Sequence, residues 1–175
     1  MPKFIEGIKK FQQEVFPLHE DRFEKLATFQ EPDVLFVTCS DSRIDPNLIT
    51  QSDPGELFIC RNAGNIVPPH SNETGGMTAS IEYAVSVLGV KHIVICGHSN
   101  CGAMKAAMQP ESVSSLPHVK VWIDHCRAAK EAVEHRHDDC LSDEHLDEVT
   151  KQNVVLQLNH LSTHPAVFRK TFNGE

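Results

Sequence analysis

Three short apolar runs decide most of what this chain can become. They are "VLFVT" at 34–38, "ELFICRN" at 56–62 and "HIVIC" at 92–96. Each is strand-sized, and each is apolar on both faces rather than alternating, which suits a strand covered on both sides. Helical spacing fills the gaps between them. Met77, Ile81, Ala84, Val85 and Leu88 lie on one helical stripe, and Gly89 stands where a C-cap belongs. Strands alternating with helices indicate βαβ units, hence an α/β fold with a parallel sheet flanked by helices. The sheet order is expected to start 2-1-3, which sets the first and third strands side by side.

The flanking segments are helical. Phe4, Ile8, Phe11 and Val15 repeat at helical spacing with Lys and Glu between them, so the chain opens on an amphipathic arm. A second helical piece is expected over 18–28, a turn over 47–50, and further helices from near Cys101, over 118–135 and over 143–162, the last ending before Pro165. The 175 residues read as one domain, with an arm at 1–28 and a core at 30–165. A net charge of -8 argues against nucleic acid or an anionic membrane as partner. No apolar stretch approaches the roughly 20 residues that span a bilayer. The opening "MPKFIEGIKKFQQEVF" has no apolar signal core. A soluble, cytoplasmic protein with reduced thiols is therefore expected, and its six cysteines become metal ligands, nucleophiles or small core residues.

Two clusters carry the chemistry. "CSDSR" (39–43) follows the first strand and "GHSNCG" (97–102) follows the third. In an open parallel sheet, ligands bind beyond the carboxyl ends of the strands where the strand order reverses. With order 2-1-3, Cys39, His98 and Cys101 meet there. Two thiolates and one imidazole are a catalytic zinc set that leaves one position open. Taken singly, each cysteine could be a small buried residue and His98 a core histidine; together they indicate a metal site. Asp41 beside such a site would close it as a fourth ligand unless restrained. Arg43 can restrain it through a bidentate pair. Cys60, Cys126 and Cys140 lack partners and read as structural. The histidines of "EHRHDDC" (134–140) read as a solvated helix end.

"CSDSR" followed by "GHSNCG", with "PGELFICRNAGNIVPP" and "SIEYAVSVLGVKHIVICGHSNCGA", closely resembles the β-class carbonic anhydrases. The resemblance runs from about Gln30 to Ala106 and, more weakly, through "QNVVLQLNHLSTHP" (152–165). It implies one Zn²⁺ per chain on Cys39, His98 and Cys101, with Asp41 and Arg43 as the catalytic dyad. The implied reaction is reversible hydration of carbon dioxide to bicarbonate and a proton by zinc-bound hydroxide, with activity rising at alkaline pH. Gln30 matches a residue that hydrogen-bonds substrate, and Phe58, Ala63, Tyr83 and Gly102 fall where members line an apolar pocket. The resemblance also implies a homodimer, or a dimer of dimers, with the arm packed on the partner and the active site near the dimer interface. Members usually continue past the last helix with further strands, so a C-terminally shortened chain without its outer strands is expected. Two other readings share the zinc set: a hydrolase for carbon disulfide or carbonyl sulfide, and a non-catalytic zinc-binding fragment. A nucleotide-binding fold is disfavoured, because no G-x-G-x-x-G follows a strand.

Overall fold

In the computed structural model, residues 2–72, 74–138 and 141–174 are described; Cys140 lies outside them. The chain forms two compact units, residues 1–31 and 32–175.

The first unit is helical. α1 (Pro2–Lys10) is followed by a π-helical turn at 11–15, a 3₁₀ turn at 16–19 and α2 (Glu20–Leu26). The expected regular helix stops short of Val15 because Pro17 has no amide proton and its ring crowds the preceding turn. Phe11, Phe16 and Phe23 gather on one another, with centroids 5.3 to 6.3 Å apart. Phe4, Ile5 and Ile8 remain exposed.

The second unit holds the sheet. β1 (Val34–Cys39), β2 (Leu57–Asn62) and β3 (His92–Cys96) are all parallel, in the order β2-β1-β3. Val34 pairs with Leu57 on one side and His92 on the other. β1 is the central strand, and every residue from Leu35 to Cys39 is buried. Full burial of one such aliphatic side chain contributes about 1.5–3 kcal/mol, which is why the continuous apolar run goes to the middle. The neighbours are half-exposed along their length.

Helices cover the sheet. α3 (Pro46–Thr50) links β1 to β2; its N-cap Asp45 accepts from the Leu48 amide. α4 (Gly76–Tyr83) links β2 to β3 and ends in a π-helical turn at 84–88, which Gly89 closes in the left-handed region at φ 67°. α5 (Gly102–Met108) follows β3. The expected helix over 118–135 is two, α6 (Pro117–Ile123) and α7 (Arg127–Arg136), joined by a 3₁₀ turn. α8 (Leu146–Ser162) matches expectation. Beyond it, α9 (Pro165–Phe172) forms where Pro165 was read as a stop. Proline also suits the first position of a helix, where no amide bond is lost.

Two core clusters result. One joins Leu35 and Val37 to Ile81, Val85, Ile95 and Leu161. The other lies at the carboxyl end of β1 and joins Cys39 and Cys101 to Met104, Ile123, Val133 and Val149.

Candidate metal centre

Cys39 is the last residue of β1 and is 5% exposed. The chain then turns. Asp41 takes both guanidinium arms of Arg43, Nε donating to Oδ1 at 2.8 Å and Nη2 to Oδ2 at 2.7 Å, while the Arg43 amide donates to Oδ1 at 3.0 Å. These bonds hold the Asp41 carboxyl far below the usual carboxylate range. The same Nη2 also donates to the Asn100 carbonyl at 3.0 Å, so Arg43 ties the turn after β1 to the turn after β3.

That second turn begins at Gly97, where a Cβ would come within 2.9 Å of Val154 on α8. Only glycine lets β3 end so close to that helix. Asn100 adopts φ 53°, a left-handed conformation that asparagine tolerates. Cys101 then caps α5 and is fully buried. Burial pushes its thiol up to about 11, against the pull of the Met104 and Ala103 amides.

The order β2-β1-β3 brings the two turns together. One ligand atom each from Cys39, His98 and Cys101 lies within 4.8 Å of the others. The two Sγ atoms are 4.0 Å apart. Zinc–sulfur bonds of about 2.3 Å in a tetrahedron need sulfurs about 3.8 Å apart. His98 Nδ1 lies 2.9 Å from the Ser99 carbonyl. A carbonyl can only accept, so Nδ1 carries the proton and Nε2 offers a lone pair. Nε2 is buried and has no hydrogen-bond partner. A buried acceptor left unpaired between two thiols is what a metal ligand looks like before its ion binds. The donor set fits zinc. Asp41 is not part of the cluster; its Oδ2 lies 3.8 Å from His98 Nε2 and faces Arg43 instead.

The other singled-out residues divide. Phe58 on β2 and Tyr83 at the end of α4 are neighbours, ring centroids 6.1 Å apart. Ala63 lies in the turn after β2, where its carbonyl accepts from Trp122 Nε1 at 2.9 Å. Gly102 opens α5 beside Cys101. Gln30 is exposed and belongs to the first unit. Cys60 and Cys126 are buried free thiols, as expected of structural cysteines.

Several residues that support the site were not singled out as such. Arg61 donates to the carbonyls of Cys39 at 3.0 Å and Asp41 at 2.7 Å, fixing the backbone on both sides of Ser40. The Gly64 amide donates to Cys39 Sγ at 3.3 Å. Asn153 and Gln157, both fully buried on α8, bond to the turn that carries Gly64. The available clue was two long polar residues four apart on the apolar face of α8, where only satisfied amides are tolerated.

The fold and donor set define a metal-binding α/β protein with its centre at the carboxyl edge of a parallel sheet. The family model described as carbonic anhydrase matches residues 34–175. The chain is 45% identical, over its whole length, to a carbonic anhydrase of Synechococcus elongatus, of which it covers 65%. It is 47% identical, over 99% of its length, to one of Pseudomonas aeruginosa, of which it covers 79%. The solved β-carbonic anhydrase CcaA superimposes with a TM-score of 0.95 at 42% identity, covering 99% of this chain and 78% of that one. A Coccomyxa β-carbonic anhydrase in complex with acetazolamide superimposes with a TM-score of 0.84 at 30% identity, covering 98% and 76%. This chain belongs to the β-class carbonic anhydrase family. It spans just under two thirds of the Synechococcus relative.

Proposed function

We propose that the chain catalyses the reversible hydration of carbon dioxide to bicarbonate and a proton, with one Zn²⁺ held by Cys39, His98 and Cys101. The observation that carries this is the buried, unpaired His98 Nε2 clustered with two thiols while the nearest carboxylate is held away by Arg43. A site built only to store metal would gain a fourth ligand from Asp41; this one restrains it.

A zinc ion held by Cys39, His98 and Cys101 would supply the Lewis acidity that lets water ionise well below its ordinary pH. The protein does the rest. Asp41, ionised throughout the working range, accepts a hydrogen bond from the nucleophile and orients it. Arg43 keeps Asp41 in that role. Carbon dioxide carries no charge, so Phe58, Tyr83, Ala63 and Gly102 hold it by apolar contact. The proton released leaves to solvent.

We also infer that the working form is at least a homodimer. The exposed Phe4, 77%, and Ile8, 59%, of the first unit support this, as does Tyr83, 44% exposed in the single chain. Light scattering on the full chain measures it. Among the described residues, no helix is long and apolar enough to cross a membrane.

The deciding experiment compares the full chain with Cys39→Ala for zinc content and for carbon dioxide hydration by stopped flow. The expected result is one zinc per chain with hydration, and neither in the variant. Zinc bound without hydration would overturn the proposal. Faster turnover of carbon disulfide or carbonyl sulfide than of carbon dioxide would replace it.

A further inference from the structure

The turn after β2 is held by an unusual set of bonds. Gly64 adopts φ +85°, and a Cβ there would sit 3.0 Å from Ala103 Cβ on α5. Its carbonyl accepts from Asn153 Nδ2 at 3.1 Å. Asn153 Oδ1 accepts from Gln157 Nε2 at 2.8 Å, and Gln157 Oε1 accepts from the Val67 amide at 2.9 Å. Residues four apart on a helix share a face, so the two amides form one relay from α8 into the turn. Asn62 closes the turn internally, bonding both the amide and the carbonyl of Ile66. Trp122 holds the Ala63 carbonyl from α6. Three elements therefore fix one short segment. What that segment delivers is the Gly64 amide, aimed at Cys39 Sγ.

We infer that Asn153, relayed by Gln157, is a positioning residue for the metal centre: it locks the Gly64 turn so that the Gly64 N–H donates to the Cys39 thiolate. The inference rests on Cys39 being a metal ligand and deepens that reading. An N–H···S bond withdraws charge from a thiolate. It relieves the repulsion between the two negatively charged sulfurs that would share the ion, which favours the loaded site, and it lowers the energy of the sulfur lone pairs. Outer partners of this kind set metal affinity by about 10–100-fold.

The test uses the full chain loaded with Co²⁺, Zn²⁺ or Cd²⁺. Asn153→Asp keeps the acceptor for Gln157 and loses the donor for Gly64; Asn153→Leu loses both. Val85→Ala, in the other core cluster, lowers stability without removing any side-chain hydrogen bond of the relay. The thiolate-to-Co²⁺ charge-transfer band is expected at longer wavelength in both Asn153 variants. Zn²⁺ release into a strong chelator is expected to be about tenfold faster. Val85→Ala should match wild type in both. In the ¹¹³Cd-loaded wild type, the Gly64 amide proton should show scalar coupling to cadmium through Sγ. A band and release rate unchanged in a loaded Asn153 variant would overturn the inference, as would equal shifts in Val85→Ala or no coupling at Gly64. If neither Asn153 variant folds, the cadmium coupling decides alone. A wild-type chain that binds none of the three ions overturns the metal-centre reading itself, an outcome distinct from all the others.

Discussion

The turn after β1 and the turn after β2 lie side by side and serve the same centre, yet they are held in opposite ways. Cys39 to Arg43 has its carboxylate braced from within, while Arg61 and Asn100 hold its flanks. The carboxylate and guanidinium that define it are two residues apart and make three bonds to each other. Ala63 to Val67 is braced largely from without, by Trp122, Asn153 and Gln157. The first turn also bears Asp41, the carboxylate proposed to orient the nucleophile, and its dyad is partly solvent-exposed. The second bears a backbone amide that must not move, and it is buried from Gly64 to Val67. Local bonds that water can replace suit a gate. Distant, buried bonds suit a mount.

Arg43→Ala tests the gate and carries the largest expected effect. Without the guanidinium, Asp41 is free to turn toward His98 Nε2, already 3.8 Å away. Turnover should fall about 10–100-fold, the usual range for losing an outer partner of a metal site, while zinc content stays at the wild-type level. Thermal stability should barely change, because the lost pair is partly exposed. Stopped-flow hydration with metal analysis checks both halves. Normal turnover in this variant would mean that Asp41 needs no restraint.

Gln157→Leu tests the mount. It removes the acceptor of the Val67 amide and the donor to Asn153, leaving buried partners unpaired at about 1–3 kcal/mol each. A loss of roughly 2–6 kcal/mol in denaturant unfolding is expected, with turnover in the surviving folded fraction reduced less than in Arg43→Ala. If stability holds and turnover collapses, the roles of the two turns are reversed. Arg61→Met should have a smaller effect, about 1 kcal/mol. It frees two backbone carbonyls that lie near enough to the surface for water to replace the guanidinium.

The same contrast explains what could be read from the residues. The sheet, its order and the ligands Cys39, His98 and Cys101 were legible because apolar runs mark strands and the ligands sit next to strand ends. The Asp41–Arg43 pair was legible because its partners are two residues apart. Gly64, Trp122, Asn153 and Gln157 were not, because their bonds span 59 to 90 residues and depend on where α6 and α8 dock. No local pattern carries that information. The missed α9 has another cause. A proline before an apolar run can end one helix or begin the next, and in "STHPAVF" it does both within a few residues.

The smallest effect concerns what holds α8 itself. Its first turn carries Glu148, which accepts from His137 Nε2 at 2.8 Å and pairs with Arg136 at the end of α7. The His137 hydrogen bond, then the nearby charges of His137 and Arg136, lower the Glu148 carboxyl below its ordinary 4.5. A carboxyl depressed in the folded state contributes stability that is present above its unfolded value and is lost as pH falls through the folded one. Wild-type stability should therefore decline below about pH 4.5 more steeply than that of Glu148→Gln, with the two curves running parallel at neutral pH and above. Because the pair is largely solvated, the difference should be small and should shrink further in high salt. Denaturant midpoints across that pH range measure it. If the relay is the mount, the acid loss should appear at the Gly64 amide as faster hydrogen exchange and leave the Arg43 amide unaffected. Equal loosening of both turns would show that α8 braces the whole centre rather than one side of it.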